Sequence, residues 1–183
     1  MPFYSNSTYG TVSHTSGTFY DQGKILANDG ASLSSATLAT QSALNIPVAG
    51  YERVMGIYTI WYDSDDTNEL SYRISVLDNA DTPAAIATTL ATQSIASVAE
   101  ITSGATPSAA GLESTGTYST NGTGITVGVD VGAATSGLFL QVTFNALLTA
   151  NTKGNIVFQA ANITGTGTGT HLLAGSNVIY KKW

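Results

Sequence analysis

Cysteine is absent from this 183-residue chain, and charge is scarce. Without thiols there is no disulfide framework and no Cys-ligated zinc site, so the fold must stand on its apolar core. One domain of this length buries about two-thirds or more of its unfolded surface, which suffices without staples. Charged side chains make up 10% of the residues, against about 25% in ordinary soluble domains. Six basic and twelve acidic groups leave a net charge of −6. Such a surface repels phosphate backbones, and Lys181-Lys182 is the one adjacent basic pair, so no nucleic-acid partner is expected. What remains outside is rich in Thr, Ser, Gly, Ala and Asn, which a partner can cover while stripping water from few ions.

Long hydrophobic runs are missing too. Nowhere do eighteen apolar residues follow one another, so no stretch reads as a membrane-spanning helix and no membrane partner is expected. The segment from Met1 to Tyr9 has neither a basic start nor an apolar stretch, so it does not read as a signal peptide. Asn6, Asn121 and Asn162 begin glycosylation sequons, which a chain this rich in Asn, Ser and Thr produces by composition alone.

What the chain does have is period two. Ile125, Val127, Val129 and Val131 alternate with Thr126, Gly128 and Asp130. Leu138, Leu140, Val142 and Phe144 alternate with Phe139, Gln141, Thr143 and Asn145, and Leu70, Tyr72, Ile74 and Val76 with Ser71, Arg73 and Ser75. Each reads as a strand with one dry and one wet face. Residues 53–62 are apolar on both sides: Met55, Ile57 and Trp61 point one way, and Val54, Tyr58, Ile60 and Tyr62 the other. Such a strand sits centrally, or has its outer face covered by another subunit. Further strands are expected at 20–27, 155–163 and 177–183, the last with Val178 and Tyr180 opposed to Ile179 and Trp183.

Asn28-Asp29-Gly30, Asn121-Gly122 and the Gly-Thr tract at 164–170 mark turns and loops between these runs. Residues 84–101 are ambiguous, because Ile86, Leu90, Ile95, Val98 and Ile101 lie near helical spacing in Thr- and Ser-rich sequence. A short helix or irregular crossover is expected there. The hexapeptide Thr-Leu-Ala-Thr-Gln-Ser occurs at 37–42 and again at 89–94, which compositional bias explains better than duplication. Residues 1–19 read as a polar N-terminal arm without its own core, whose Phe3, Tyr4 and Tyr9 suit ordering against a partner.

Signals for chemistry are few. His14 and His171 lie in no triad-like neighbourhood, and the sequence contains no G-x-S-x-G, H-E-x-x-H or P-loop. The Gly-Thr tract lacks the lysine and helix of a phosphate loop. Asp63, Asp65, Asp66 and Glu69 form the densest acidic cluster and the one weak candidate for a metal site. A calcium loop, however, needs glycine at its sixth position and glutamate at its twelfth, where this stretch has Asn68 and Ile74. A solvated hairpin loop is the expected reading, with no metal and no cofactor. Paired glycosidase carboxylates are weaker still, since acids on an exposed tip lack the apolar pocket that raises an acid's pKa. Trp61 and Trp183 are the strongest single anchors; Trp61, within a strand, also reads as a core residue, whereas a terminal tryptophan behind two lysines suits a groove or subunit interface.

The order of these runs resembles the tumour-necrosis-factor-type jelly roll, as used by trimeric decoration proteins on tailed-phage heads. The residues that carry it are the strand runs 56–62 and 69–76, the segment 147–159, and the closing run 173–180. The resemblance covers about residues 50–183 and implies no catalytic residues, so no enzyme is expected. The fold expected is an all-β jelly-roll sandwich of about eight to ten antiparallel strands, comprising residues 20–183 behind the arm. The function it implies is a capsid decoration or cement subunit on the outer surface of a virion, a homotrimer bound to the major capsid protein lattice. Its contact residues would be Phe3, Tyr4, Tyr9, Tyr58, Trp61 and Trp183. A receptor- or glycan-binding head of a tail fibre or spike is the alternative.

The solvated-loop reading of residues 63–69 makes a direct prediction. Adding a chelator should leave the melting temperature unchanged, whereas a structural calcium ion would show as a drop of several degrees.

Overall fold

The strand pattern builds from the centre outwards. The structure, a computed structural model, describes residues 5–8, 11–14, 22–63, 70–78, 88–97, 112–119, 127–129, 138–148, 153–162 and 170–183. Within it, Arg53–Asp63 forms one eleven-residue strand, flanked on one side by Leu138–Leu148 and on the other by Asn177–Lys182. In chain order the strands are β1 (Ser5–Thr8), β2 (Thr11–His14), β3 (Gln22–Ile25), β4 (Ala39–Thr40), β5 (Ile46–Val48), β6 (Arg53–Asp63) and β7 (Leu70–Asp78). They continue with β8 (Thr88–Ser97), β9 (Leu112–Ser119), β10 (Val127–Val129), β11 (Leu138–Leu148), β12 (Gly154–Asn162), β13 (His171–Leu172) and β14 (Asn177–Lys182). Among the described residues a single 3-10 turn, Ser42–Leu44, interrupts them.

Two antiparallel sheets result. The larger runs β1-β2-β3-β14-β6-β11-β8-β9, with β13 also on β6, and the smaller runs β10-β7-β12-β4, with β5 also on β12. Lettering β3, β5, β6, β7, β10, β11, β12 and β14 from B to I makes the two sheets B-I-D-G and C-H-E-F, the jelly-roll order. The all-β sandwich is as expected. Its strand number is higher, because short strands and the added β1–β2 and β8–β9 pairs extend the larger sheet.

Period two decides which residues go inside. Val54, Tyr58, Ile60 and Tyr62 of β6 are fully buried, as are Leu138, Leu140 and Ala146 of β11 and Val178 of β14. They meet Tyr72, Ile74 and Val76 of β7 and Ile156, Phe158 and Ala160 of β12 in one cluster between the sheets. At its centre the Tyr58 ring lies 5.3 Å from Phe144 and 5.5 Å from Phe158, and Tyr72 stacks on Phe158 at 5.8 Å. The smaller sheet is dry on its other face as well: Val157, Ala161, Ser75 and Leu77 are all buried.

Two expectations are corrected. Residues 88–97 form a strand, β8, rather than a short helix or crossover. Ten register pairs with β11 and eight with β9 give its backbone a ladder on both sides, which overrides a weak helical spacing. The runs 53–62 and 70–76 are not a hairpin, since β6 and β7 lie in different sheets. The acidic stretch between them therefore belongs to a connection from one sheet to the other. Within the expected arm, β1 and β2 pair with each other and reach β3 through Thr11 and Lys24.

Gly56 makes the central packing possible. Its cross-strand neighbours are Phe144 on β11 and Tyr180 on β14. A Cβ placed on it would lie 2.6 Å from the carbonyl oxygen of Ile179 and 2.7 Å from the Phe144 ring. Gly56→Ala should therefore destabilise the domain by about 1–3 kcal/mol in urea denaturation. Adding Phe144→Leu should restore only part of that, because the Ile179 carbonyl stays in the way.

Candidate interaction surface

The odd-numbered residues of β6 face away from the core, and with their neighbours they make the outer surface of the larger sheet. Ile57 sits between Ile179 of β14 and Thr143 of β11, and Trp61 sits beside Phe139 of β11. The Trp61 and Phe139 rings are 5.1 Å apart. Six large hydrophobic side chains are exposed among the described residues: Ile25, Tyr51, Trp61, Leu147, Ile179 and Trp183. Four of them, Trp61, Leu147, Ile179 and Ile25, belong to strands of this one sheet, and Trp183 directly extends its central β14.

One rim of the sheet gathers a different chemistry. Trp183 continues the ladder of β14, because Arg53 and Trp183 exchange backbone hydrogen bonds of 3.0 Å in both directions. The Arg53 guanidinium lies 5.8 Å from the Trp183 ring centroid, and its Nε donates to Asn145 Oδ1 at 3.4 Å. Leu147, opposite Arg53 on β11, is exposed. A turn leads into β6: the Ala49 amide donates to the Glu52 carboxylate at 3.0 Å, and the Glu52 amide to the Ala49 carbonyl at 3.3 Å. It holds Tyr51 at φ 63°, in the left-handed region, with the side chain 69% exposed.

Behind the rim two lysines tie the sheets together. Lys24 donates to the Asn45 carbonyl and Lys182 to the Pro47 carbonyl, so strands of the larger sheet grip the backbone around β5 of the smaller. The Lys182 ammonium also lies 3.7 Å from Glu52. Burial, and then the nearby Lys182 charge, hold the Lys24 ammonium below the usual lysine range. On the smaller sheet Gln159 joins a polar group, accepting from Arg73 at 3.0 Å and from Ser75 at 3.3 Å. Burial lowers the Arg73 pKa.

These positions sort the expected contact residues. Trp61 and Trp183 are on the surface, whereas Tyr58 is buried in the sandwich core. Its ring is enclosed by both sheets, and burial first, then Tyr180, pushes its phenol above the ordinary tyrosine range. A folded subunit cannot offer it to a partner. Phe3, Tyr4 and Tyr9 of the arm lie outside the described residues, as do Asp65, Asp66 and Glu69; Asp63 ends β6 and pairs in register with His171. Asn162 is fully buried, so its sequon is closed in the folded domain. Sequence reasoning did not single out Tyr51, Arg53 or Leu147. The phase of strands β6 and β11 could have placed the latter two outside, but nothing in the sequence marks the backbone angle of Tyr51.

Comparison with known proteins adds little. No protein-family model matches the chain, and no curated protein matches it. Among solved structures, that of the infectious bursal disease virus Gx strain is similar to 97% of this chain at 10% identity, with a TM-score of 0.20. This chain spans 44% of that one, and likeness at this level carries no argument about fold or function.

The sorting is measurable. Tyr58→Ala should cost about 3–5 kcal/mol of unfolding free energy, as a large core ring is lost. Trp183→Ala should cost about 1 kcal/mol or less, as an exposed ring with one cation–π contact is lost. Urea titrations of the two variants would separate core from surface.

Proposed function

We propose that this protein is a structural virion protein, a decoration subunit that binds the outer surface of a viral head and stabilises it. The observation that carries the reading is the outer face of the larger sheet. It exposes Trp61, Ile179, Ile25 and Leu147 on a rigid antiparallel platform, in a chain whose charged residues are only 10%. A sheet face of this kind can be covered by a neighbour with few ions to desolvate. The jelly-roll order is compatible with this role and with many others, so the weight rests on the surface rather than the fold.

The mechanical logic is linkage. A subunit that bridges neighbouring shell proteins binds the assembled lattice and not its separated parts, so its binding free energy becomes lattice stability. The position of β1 and β2 at the edge of the larger sheet supports a contact that extends past the body of the domain.

Co-sedimentation with assembled heads tests this. The protein should bind at a fixed, saturable stoichiometry and raise the temperature at which the particles disrupt. Deleting residues 1–19 should weaken attachment while the remaining sandwich still melts cooperatively. Failure of the full-length protein to sediment with any shell, together with binding to cells or glycans, would replace this reading with that of a fibre head.

A further inference from the structure

The charges of this chain are not only few but segregated. Four of its six basic groups, Lys24, Arg53, Lys181 and Lys182, come from residues of β3, β14 and the start of β6, at or behind the rim already described. Two of these are committed internally, Lys24 to the Asn45 carbonyl and Lys182 to Glu52 and the Pro47 carbonyl. Arg53, which also reaches Asn145 and the Trp183 ring, and Lys181 lie on the outer face of the sheet, near three exposed side chains, Tyr51, Leu147 and Trp183. At the far end, β6 runs into Asp63, and the sequence continues Ser-Asp-Asp-Thr-Asn-Glu to residue 69. The strand between is apolar on its outer side through Met55, Ile57 and Trp61.

We infer that the rim formed by Tyr51, Arg53, Leu147, Lys181 and Trp183 is a self-association site that receives the acidic 63–69 stretch of a second copy. Three observations converge on the rim. It combines Trp, Tyr and Arg, the residues that dominate binding energy at protein interfaces. Tyr51 is the one described non-glycine residue at positive φ, a conformation that costs a bulky residue stability without gaining it any core packing. Charge complementarity then selects the occupant, since an acidic segment matches Arg53 and Lys181 and is present on every copy.

The same copy cannot supply it. Arg53 and Asp63 are ten residues apart on one extended strand, or about 33 Å. The contact must therefore lie between copies. It is met either reciprocally across a two-fold axis, each rim taking the other copy's acidic end, or head to tail, which closes into a ring where the rotation allows and otherwise propagates. The trimer expected from the sequence would be a ring of the second kind. A phosphate backbone is the poorer fit, because two outward-facing cations on a chain of net charge −6 leave long-range repulsion in place.

Analytical ultracentrifugation of the purified protein, without shells, tests this independently of capsid binding. Wild type should self-associate, and raising salt from about 20 mM to 500 mM should weaken that association as the charges are screened. Arg53→Glu with Lys181→Glu should weaken it by about tenfold or more, and so should Asp65→Lys with Asp66→Lys. All four substitutions in one chain should restore it, because the complementarity is reversed on both sides. Tyr51→Ala should weaken association with no loss of melting temperature. A wild type that stays monomeric at about 100 µM in low salt overturns the inference, as does a fourfold variant no tighter than its parents.

Discussion

The contact between Tyr58 and Phe158 is the one on which the rest depends. It joins the middle strand of the larger sheet to a middle strand of the smaller, and Phe144 closes on the same ring from β11. The arrangement exists because Gly56, two residues back on β6, leaves room for the Phe144 ring where any Cβ would collide. Register follows from this. A slip of β6 by one residue would turn Tyr58, Ile60 and Tyr62 to solvent and drive Trp61 and Arg53 inside. The outward row Met55, Ile57, Trp61 is thus fixed by the inward one, and the surface is as well determined as the core.

Much of this alternation is legible in the residues themselves. The phases of β6, β7, β11 and β14 follow from Leu, Ile, Val and aromatic spacing, and the opposition of Val178 and Tyr180 to Ile179 and Trp183 holds in the structure. Sheet membership is not legible, because alternation says which face is dry and not which strand lies alongside. Hence β6 and β7, the two clearest neighbours in sequence, belong to different sheets. The hexapeptide Thr-Leu-Ala-Thr-Gln-Ser shows the same limit. At 89–94 it lies wholly within β8, while at 37–42 only Ala39–Thr40 is strand before the chain enters the 3-10 turn. The letters are identical, so the difference comes from the ladders available: β8 lies between two partner strands, and among the described residues β4 pairs with β12 alone.

The surface was partly visible for the same reason. Trp61 and Trp183 stand out as the only tryptophans, and the phase of their strands puts both outside. Tyr58 shows how a residue type can mislead: an aromatic on a two-faced strand suits an interface, but its own phase, opposite to that of Trp61, assigns it to the core. Tyr51 was hidden because its exposure follows from a turn whose geometry is set by Glu52, and that carboxylate also pairs with Lys182 from the other end of the chain. No local pattern contains such a relation.

That double use of Glu52 and the lysines explains how so few charges can both hold the domain and shape its outside. Lys24 and Lys182 stand where the sandwich would otherwise open, between β3 and β14 of one sheet and the backbone around β5 of the other, and each satisfies a carbonyl there. Burial first, and then the nearby Lys182 ammonium, lower the pKa of Lys24, and Glu52 lies 3.7 Å from Lys182. Glu52 balances one of those two charges, so the rim stays positive through Arg53, Lys181 and the remaining ammonium, against Asp63 at the opposite end of β6. Exposed pairs separated by more than about 10 Å are largely screened at 0.1 M salt, so this asymmetry does little within one subunit. Its consequences arise where a second surface approaches to contact distance, and there the apolar strip between the two ends makes the approach favourable before any charge is paired.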